Sequence, residues 1–163
     1  MVAEPRKEAA IGNLLLPFTH GIDGQAITYA LSLASQRGAA LVLLSLLRPG
    51  GRKGRPAVRL EDIQQATDFL VYTQQRATRM GISTHHAEIH TQHPVQSIRA
   101  FAQEMECEGI ILFVRSGKGV LLETDEIKQV LGDLRIPLYV ATLPTPRFCL
   151  PAWWPRWLGG TTM

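Results

Sequence analysis

Two short segments of this 163-residue sequence have the composition of an anion-binding turn. The first, Thr19-His20-Gly21-Ile22-Asp23-Gly24, follows an apolar run. It offers two glycines where a dinucleotide fingerprint needs three at G-x-G-x-x-G spacing, and it lacks the Gly-Lys-Ser/Thr of a phosphate loop. The acidic pair and the late Lys of a phosphorelay receiver are missing as well. The plain reading is structural: Asp23 caps a helix and the glycines make the turn. The second segment is Val114-Arg115-Ser116-Gly117-Lys118-Gly119. Closely spaced glycines let backbone N–H groups face a phosphate, while Ser116 adds a donor and Lys118 a charge. Against this stand Glu123, Asp125 and Glu126, where a polyphosphate would meet the next helix. Two like charges about 5 Å apart repel by roughly 3 kcal/mol at an effective dielectric near 20, on the order of a hundredfold in affinity for a closed pocket.

Metal and thiol chemistry have weaker claims. His86, Glu88 and His90 alternate on one face of an expected strand, with His85 opposite and His93 just past its end. Same-face neighbours there are about 7 Å apart, so a water-exposed polar edge is expected and no metal site is assigned. Cys107, expected late in a helix, and Cys149 have no recognisable base partner, and no catalytic residue is assigned.

The elements that must position these segments alternate along the chain. Apolar runs at Leu14–Phe18, 41–47, Ile110–Val114 and Leu138–Val140 read as buried strands, and the more polar Ile82–His90 as an edge strand. Helical spacing joins Ile27, Ala30, Leu31 and Ala34, stopped by Gly38. It recurs from Leu60 to Ala77 before Gly81, and from Val95 to Met105 after Pro94. A last helix carries Ile127, Val130, Leu131 and Leu134, with Thr124 as its expected cap. Five strands and four helices in alternation predict a single-domain, doubly wound α/β fold: an open parallel sheet with helices on both faces. Ligands in such sheets sit beyond the carboxyl ends of the strands at the switch in strand order, which selects residues 19–25, 48–59, 91–94 and 115–124.

Composition narrows the class. Apolar residues make up 45% and charged residues 19%, a globular balance. No run of about 18 apolar residues occurs, and residues 1–10 form a charged extension without the apolar core of a secretory signal. Two cysteines exclude a disulfide scaffold and point to a reducing cytoplasm. The net charge of +3 is concentrated in Arg48, Arg52, Lys53, Arg55 and Arg59 and in a basic tail, so no nucleic-acid partner is expected. Residues 144–163 form a Pro-rich arm holding Trp153, Trp154 and Trp157, suited to packing on protein or to a membrane surface.

Over residues 11–143 the sequence resembles the universal stress protein family. The resemblance rests on the opening GNLLLPFTHGIDGQAITYALSLASQRGAALVLLSLL with Pro17 in its first strand, on His93-Pro94 before the third helix, and on EGIILFVRSGKG, IKQVL and RIPLYVATL. It implies strand order 3-2-1-4-5, a homodimer paired along residues 137–142, and a role in stress response, with ATP bound in one branch. In that branch an aspartate ends the first strand, where Thr19 stands here, and Gly-Ser/Thr closes the phosphate loop, where Glu123-Thr124 stands. Val114 replaces the loop's first glycine, while Gly117 and Gly119 remain. The expectation is a dimeric, non-catalytic, cytoplasmic regulatory domain with no obligatory cofactor and a lost or weakened ATP site. If a nucleotide binds, Thr19, Ser116, Gly117, Lys118, Gly119 and Thr124 are the expected contacts, with Arg115 and Lys118 offsetting the acids. The alternatives are an ATP-binding member of that family, a nucleotide-handling enzyme using residues 48–59 as a phosphate clamp, and an adaptor tethered by its Trp-rich arm.

Overall fold

The computed structural model describes residues 12–50, 58–133 and 135–145. The charged extension at 1–10, Arg52, Lys53 and Arg55 of the basic stretch, Cys149 and the arm beyond Thr145 lie outside the described residues. In chain order the elements are β1 (Asn13–Phe18), α1 (Gly24–Arg37), β2 (Ala40–Leu47), α2 (Leu60–Arg79), β3 (Thr84–His90), α3 (Pro94–Glu104), β4 (Cys107–Arg115), β5 (Lys118–Val120), α4 (Thr124–Leu131) and β6 (Leu138–Thr142).

The parallel sheet runs β3-β2-β1-β4-β6, so the fifth parallel strand expected at the end of the chain is β6. β2 is buried along its whole length, as an apolar run with helices above and below must be. β3 is the edge strand that its polar alternation predicts. α1 and α2 cover one face, where Leu14, Leu16 and Phe18 meet Ile27, Leu31 and Phe69. Phe69 stacks on Phe18 with ring centroids 4.3 Å apart. α3 and α4 cover the other face, where Leu15, Val42 and Leu44 meet Val95, Ile98, Ile127 and Val130.

Three expectations need correction. β5 is an extra strand: Arg115-Ser116-Gly117-Lys118 turns the chain back so that β5 lies antiparallel on the end of β4. Ser116 and Gly117 both have positive φ, 51° and 74°, the signature of a two-residue type I′ hairpin turn. Cys107 is the first residue of β4 rather than helical, because α3 ends at Glu104 and Glu106 takes a left-handed φ of 50°. The cap of α4 is Glu123, and Thr124 is the first helical residue.

α1 begins as its sequence predicts, with the Asp23 carboxylate accepting from the Ala26 N–H at 3.0 Å. Arg115, at the end of β4, grips the same carboxylate through both terminal nitrogens and donates to Gln25 Oε1 at 2.7 Å. The hydrogen bond from Arg115 holds the Asp23 carboxyl below its usual range. A carboxyl lowered in this way stabilises the fold above its unfolded value and ceases to do so as the pH falls through the lower folded one. Asp23→Ala is therefore expected to cost about 1–2 kcal/mol in urea unfolding at pH 7, and progressively less as the pH falls through the lowered folded value, where the wild-type carboxyl also becomes protonated.

Candidate functional site

The switch in strand order falls between β1 and β4, and there the sheet parts. The β1–β4 ladder extends only from Asn13 to Leu15, with a register shift between Asn13 and Leu14, and stops short of Pro17, which has no N–H to donate. On its other edge β4 pairs with β6 from Ile110 to Val114. β5 therefore takes the edge of β4 that faces β1, with Phe113 opposite Val120 and Val114 opposite Gly119. The chain then passes between the strand ends. Leu121 is buried in the core under α1 and α2, whereas Leu122 is buried in the core under α3 and α4.

The groups that close this crevice are specific. The Leu121 carbonyl accepts from the backbone N–H of Thr19 at 2.9 Å and of His20 at 3.2 Å. Leu121 has a φ of 67°, which a bulky side chain adopts at a cost of roughly 1–2 kcal/mol. Burial of that side chain, only 2% exposed, offsets the strain. Gly119 allows the close approach: a Cβ there would lie 2.4 Å from the Leu122 carbonyl oxygen and 2.9 Å from Ile127 Cδ1.

Beside this wedge Glu126 is buried, its side chain 3% exposed. As the third residue of α4 it reaches back to accept from the Glu123 N–H at 2.9 Å. The Thr19 hydroxyl donates to the same oxygen at 2.9 Å, and Arg48 Nη2 donates to the other at 3.0 Å. Arg48 leaves β2 at its carboxyl end and its side chain is 52% exposed. The buried carboxylate is thus paired and hydrogen-bonded on both oxygens. The Arg48–Glu126 pair borders two small clefts. One, of about 120 Å³, is lined by Thr19, His20, Arg48, Asp62 and Glu123. The other, of about 240 Å³, is lined by Arg48, His93, Pro94 and Gln129. Both fall below the ~300 Å³ at which small-molecule pockets usually begin.

The six residues singled out in the sequence meet different fates. Thr19 and Thr124 reach the crevice, but the Thr19 hydroxyl serves Glu126 and the Thr124 hydroxyl accepts from the Gly119 N–H at 3.0 Å. Ser116 and Gly117 sit at the hairpin tip, where the Ser116 hydroxyl meets that of Thr145 at 2.8 Å. Lys118 is exposed on β5. Arg48 and Glu126 were not identifiable as a site from the sequence, since one reads as part of a basic stretch and the other as a helix-dipole acid. The Leu121-Leu122 pair was the available signal: two large apolar residues just ahead of an acidic helix start.

Of the other candidates, His93 lines the second cleft, while His86 and His90 pair elsewhere. His86 Nδ1 lies 2.7 Å from Gln74 Nε2 of α2, and His90 lies 3.2 Å from Glu88. Among the described residues no group of three His, Cys, Asp or Glu side chains is placed to hold a metal ion. Burial pushes the Cys107 thiol up to about 11, which keeps it protonated at neutral pH. No helix among the described residues is long and apolar enough to cross a membrane.

This is the universal stress protein fold. A universal stress protein from Archaeoglobus fulgidus superposes with a TM-score of 0.62 at 19% identity, over 79% of this chain and 92% of its own. A protein of the same family from Burkholderia pseudomallei gives 0.62 at 20% identity, over 82% and 97%. The Archaeoglobus fulgidus protein in complex with dAMP gives 0.61 at 19% identity, over 80% and 98%. No protein-family model matches the sequence, and a search of curated proteins finds no match.

Proposed function

We propose that this chain is a universal-stress-like regulatory domain, dimeric and non-catalytic, whose nucleotide crevice is closed by its own backbone. The observation that carries the reading is the wedge at the switch point, with the Leu121 carbonyl on the Thr19 N–H and the Glu126 carboxylate held by Arg48 and Thr19. A nucleotide placed there would have to displace backbone and meet a buried carboxylate, and both oppose an anion. The non-catalytic part is supported by the commitment of Thr19 and Arg48 to Glu126 and of Arg115 to Asp23. The same reading places the domain in the cytoplasm, in keeping with its two cysteines.

A second reading, adenine-nucleotide binding, is favoured by the dAMP complex of the similar Archaeoglobus fulgidus fold. Thermal melts separate the two. A ligand at a hundred times its dissociation constant stabilises by about 2.7 kcal/mol, a shift of several degrees for a domain of this size. No shift is expected with millimolar Mg-ATP or dAMP, and a shift of that size with either supports the second reading instead.

Dimerisation is proposed through β6. Its pairing with β4 satisfies one edge, and Val140 at its centre is 49% exposed. Val140→Lys is expected to convert a dimer to a monomer by light scattering. A wild-type chain that is monomeric at high concentration, or a dimer indifferent to this change, contradicts the proposal.

A further inference from the structure

Away from the crevice, an apolar trough of about 620 Å³ lies over the N-terminal half of α1. Thr28 and Tyr29 of α1, Tyr72 and Arg76 of α2, and Leu143 and Pro144 beyond β6 line it. Tyr29 and Tyr72 remain 49% and 39% exposed at the trough. Tyr29 meets Phe113 edge-on at 5.7 Å, and Arg76 lies over the Tyr72 ring and donates to its hydroxyl at 3.0 Å. Aromatic rings beside a guanidinium form a surface suited to indoles.

We propose that this trough is the seat of the chain's own Trp-rich arm, residues 146–158. Its position is the first argument. Pro144 is itself part of the wall, and the residues leading into the arm are fixed at the rim. Leu143 N donates to the Val114 carbonyl at 2.7 Å, Arg115 Nε to the Pro144 carbonyl at 3.4 Å, and Ser116 meets Thr145. The arm's chemistry is the second argument: Trp153, Trp154 and Trp157 fall within five residues, with Pro151 ahead of them and Pro155 among them, and their rings suit the Tyr29 and Tyr72 faces. Its prolines limit the entropy lost on docking. Reach is the third. From Pro144 to Trp153 an extended chain at about 3.1 Å per residue spans up to ~28 Å. The stretch of α1 from Gly24 to Ser32 rises only about 12 Å. A tether this short holds the arm at an effective concentration in the millimolar range, which a second copy or a lipid surface would have to exceed.

Trp fluorescence tests this directly, because all three tryptophans of the chain lie in the arm. In the full chain the emission is expected to be blue-shifted from that of a free peptide of residues 146–158, and several-fold less quenched by acrylamide. Both readings should be unchanged on dilution and on adding phosphatidylserine-containing vesicles. Thr28→Arg, on the exposed floor of the trough, should return the emission to the peptide's value with the far-UV circular dichroism intact. Ser32→Arg provides a second variant should Thr28→Arg fail to fold. Four results overturn the proposal: a peptide-like emission in the wild type, a blue shift that fades on dilution, one that appears only with vesicles, or one that survives both substitutions.

Discussion

Arg48→Ala is expected to destabilise the domain by about 3 kcal/mol, or roughly 6–12 °C in melting temperature. Removing one partner of a buried ion pair typically costs 3–5 kcal/mol, because a carboxylate is left in low dielectric without its counter-charge. The lower end applies here, since Arg48 is half in water and Glu126 keeps the Thr19 hydroxyl and the Glu123 N–H. The charge, rather than lost packing, is the expected cause. Arg48→Ala/Glu126→Gln should therefore recover more than half of the loss, because a neutral amide needs no counter-ion. Urea unfolding of the two single variants and the double variant measures this coupling. Equal, additive losses would show that the two residues act independently and that Arg48 does not hold the carboxylate.

Gly119→Ala is expected to cost about as much, roughly 3 kcal/mol, through overpacking. Its Cβ would press on the Leu122 carbonyl oxygen and the Glu123 carbonyl carbon, which are backbone and cannot swing aside. The hairpin must lift, and with it go the Gly119 N–H bond to Thr124 and the grip of Leu121 on Thr19 and His20. Gly117→Ala, two residues away, is the control. Its φ of 74° strains any side chain, but nothing lies within 4 Å, so about 1 kcal/mol is expected. A Gly119→Ala variant as stable as Gly117→Ala would mean that β5 is not wedged against the start of α4.

These two variants bear on the part of the molecule that was hardest to read from sequence. The parallel strands and the helices were legible because each buries a repeating set of side chains, as Leu14–Phe18 and the Ile27–Ala34 stripe do. Asp23 as a cap was legible for a similar reason, since its partner Ala26 is only three residues away. β5 has three residues, too few for any period, and its Ser116-Gly117 turn has the same composition as an anion-binding loop. What distinguishes them is a left-handed φ at both residues, stabilised by pairing with β4. The Arg48–Glu126 and Asp23–Arg115 pairs join residues 78 and 92 positions apart, a separation that local pattern does not encode. For that reason Arg115 reads in sequence as a charge offsetting the acidic turn, whereas in the fold it is committed to Asp23 and Gln25. The acidic turn was legible as three acids at the start of a helix, but that one of them, Glu126, points inward to Thr19 and Arg48 was not.

Calorimetric titration of Mg-ATP into the full-length chain tests a closed crevice most directly. No saturable heat is expected up to millimolar nucleotide. A micromolar dissociation constant at one nucleotide per chain, abolished by substitution at Thr19 or Thr124, would contradict the closure by Leu121 and Glu126.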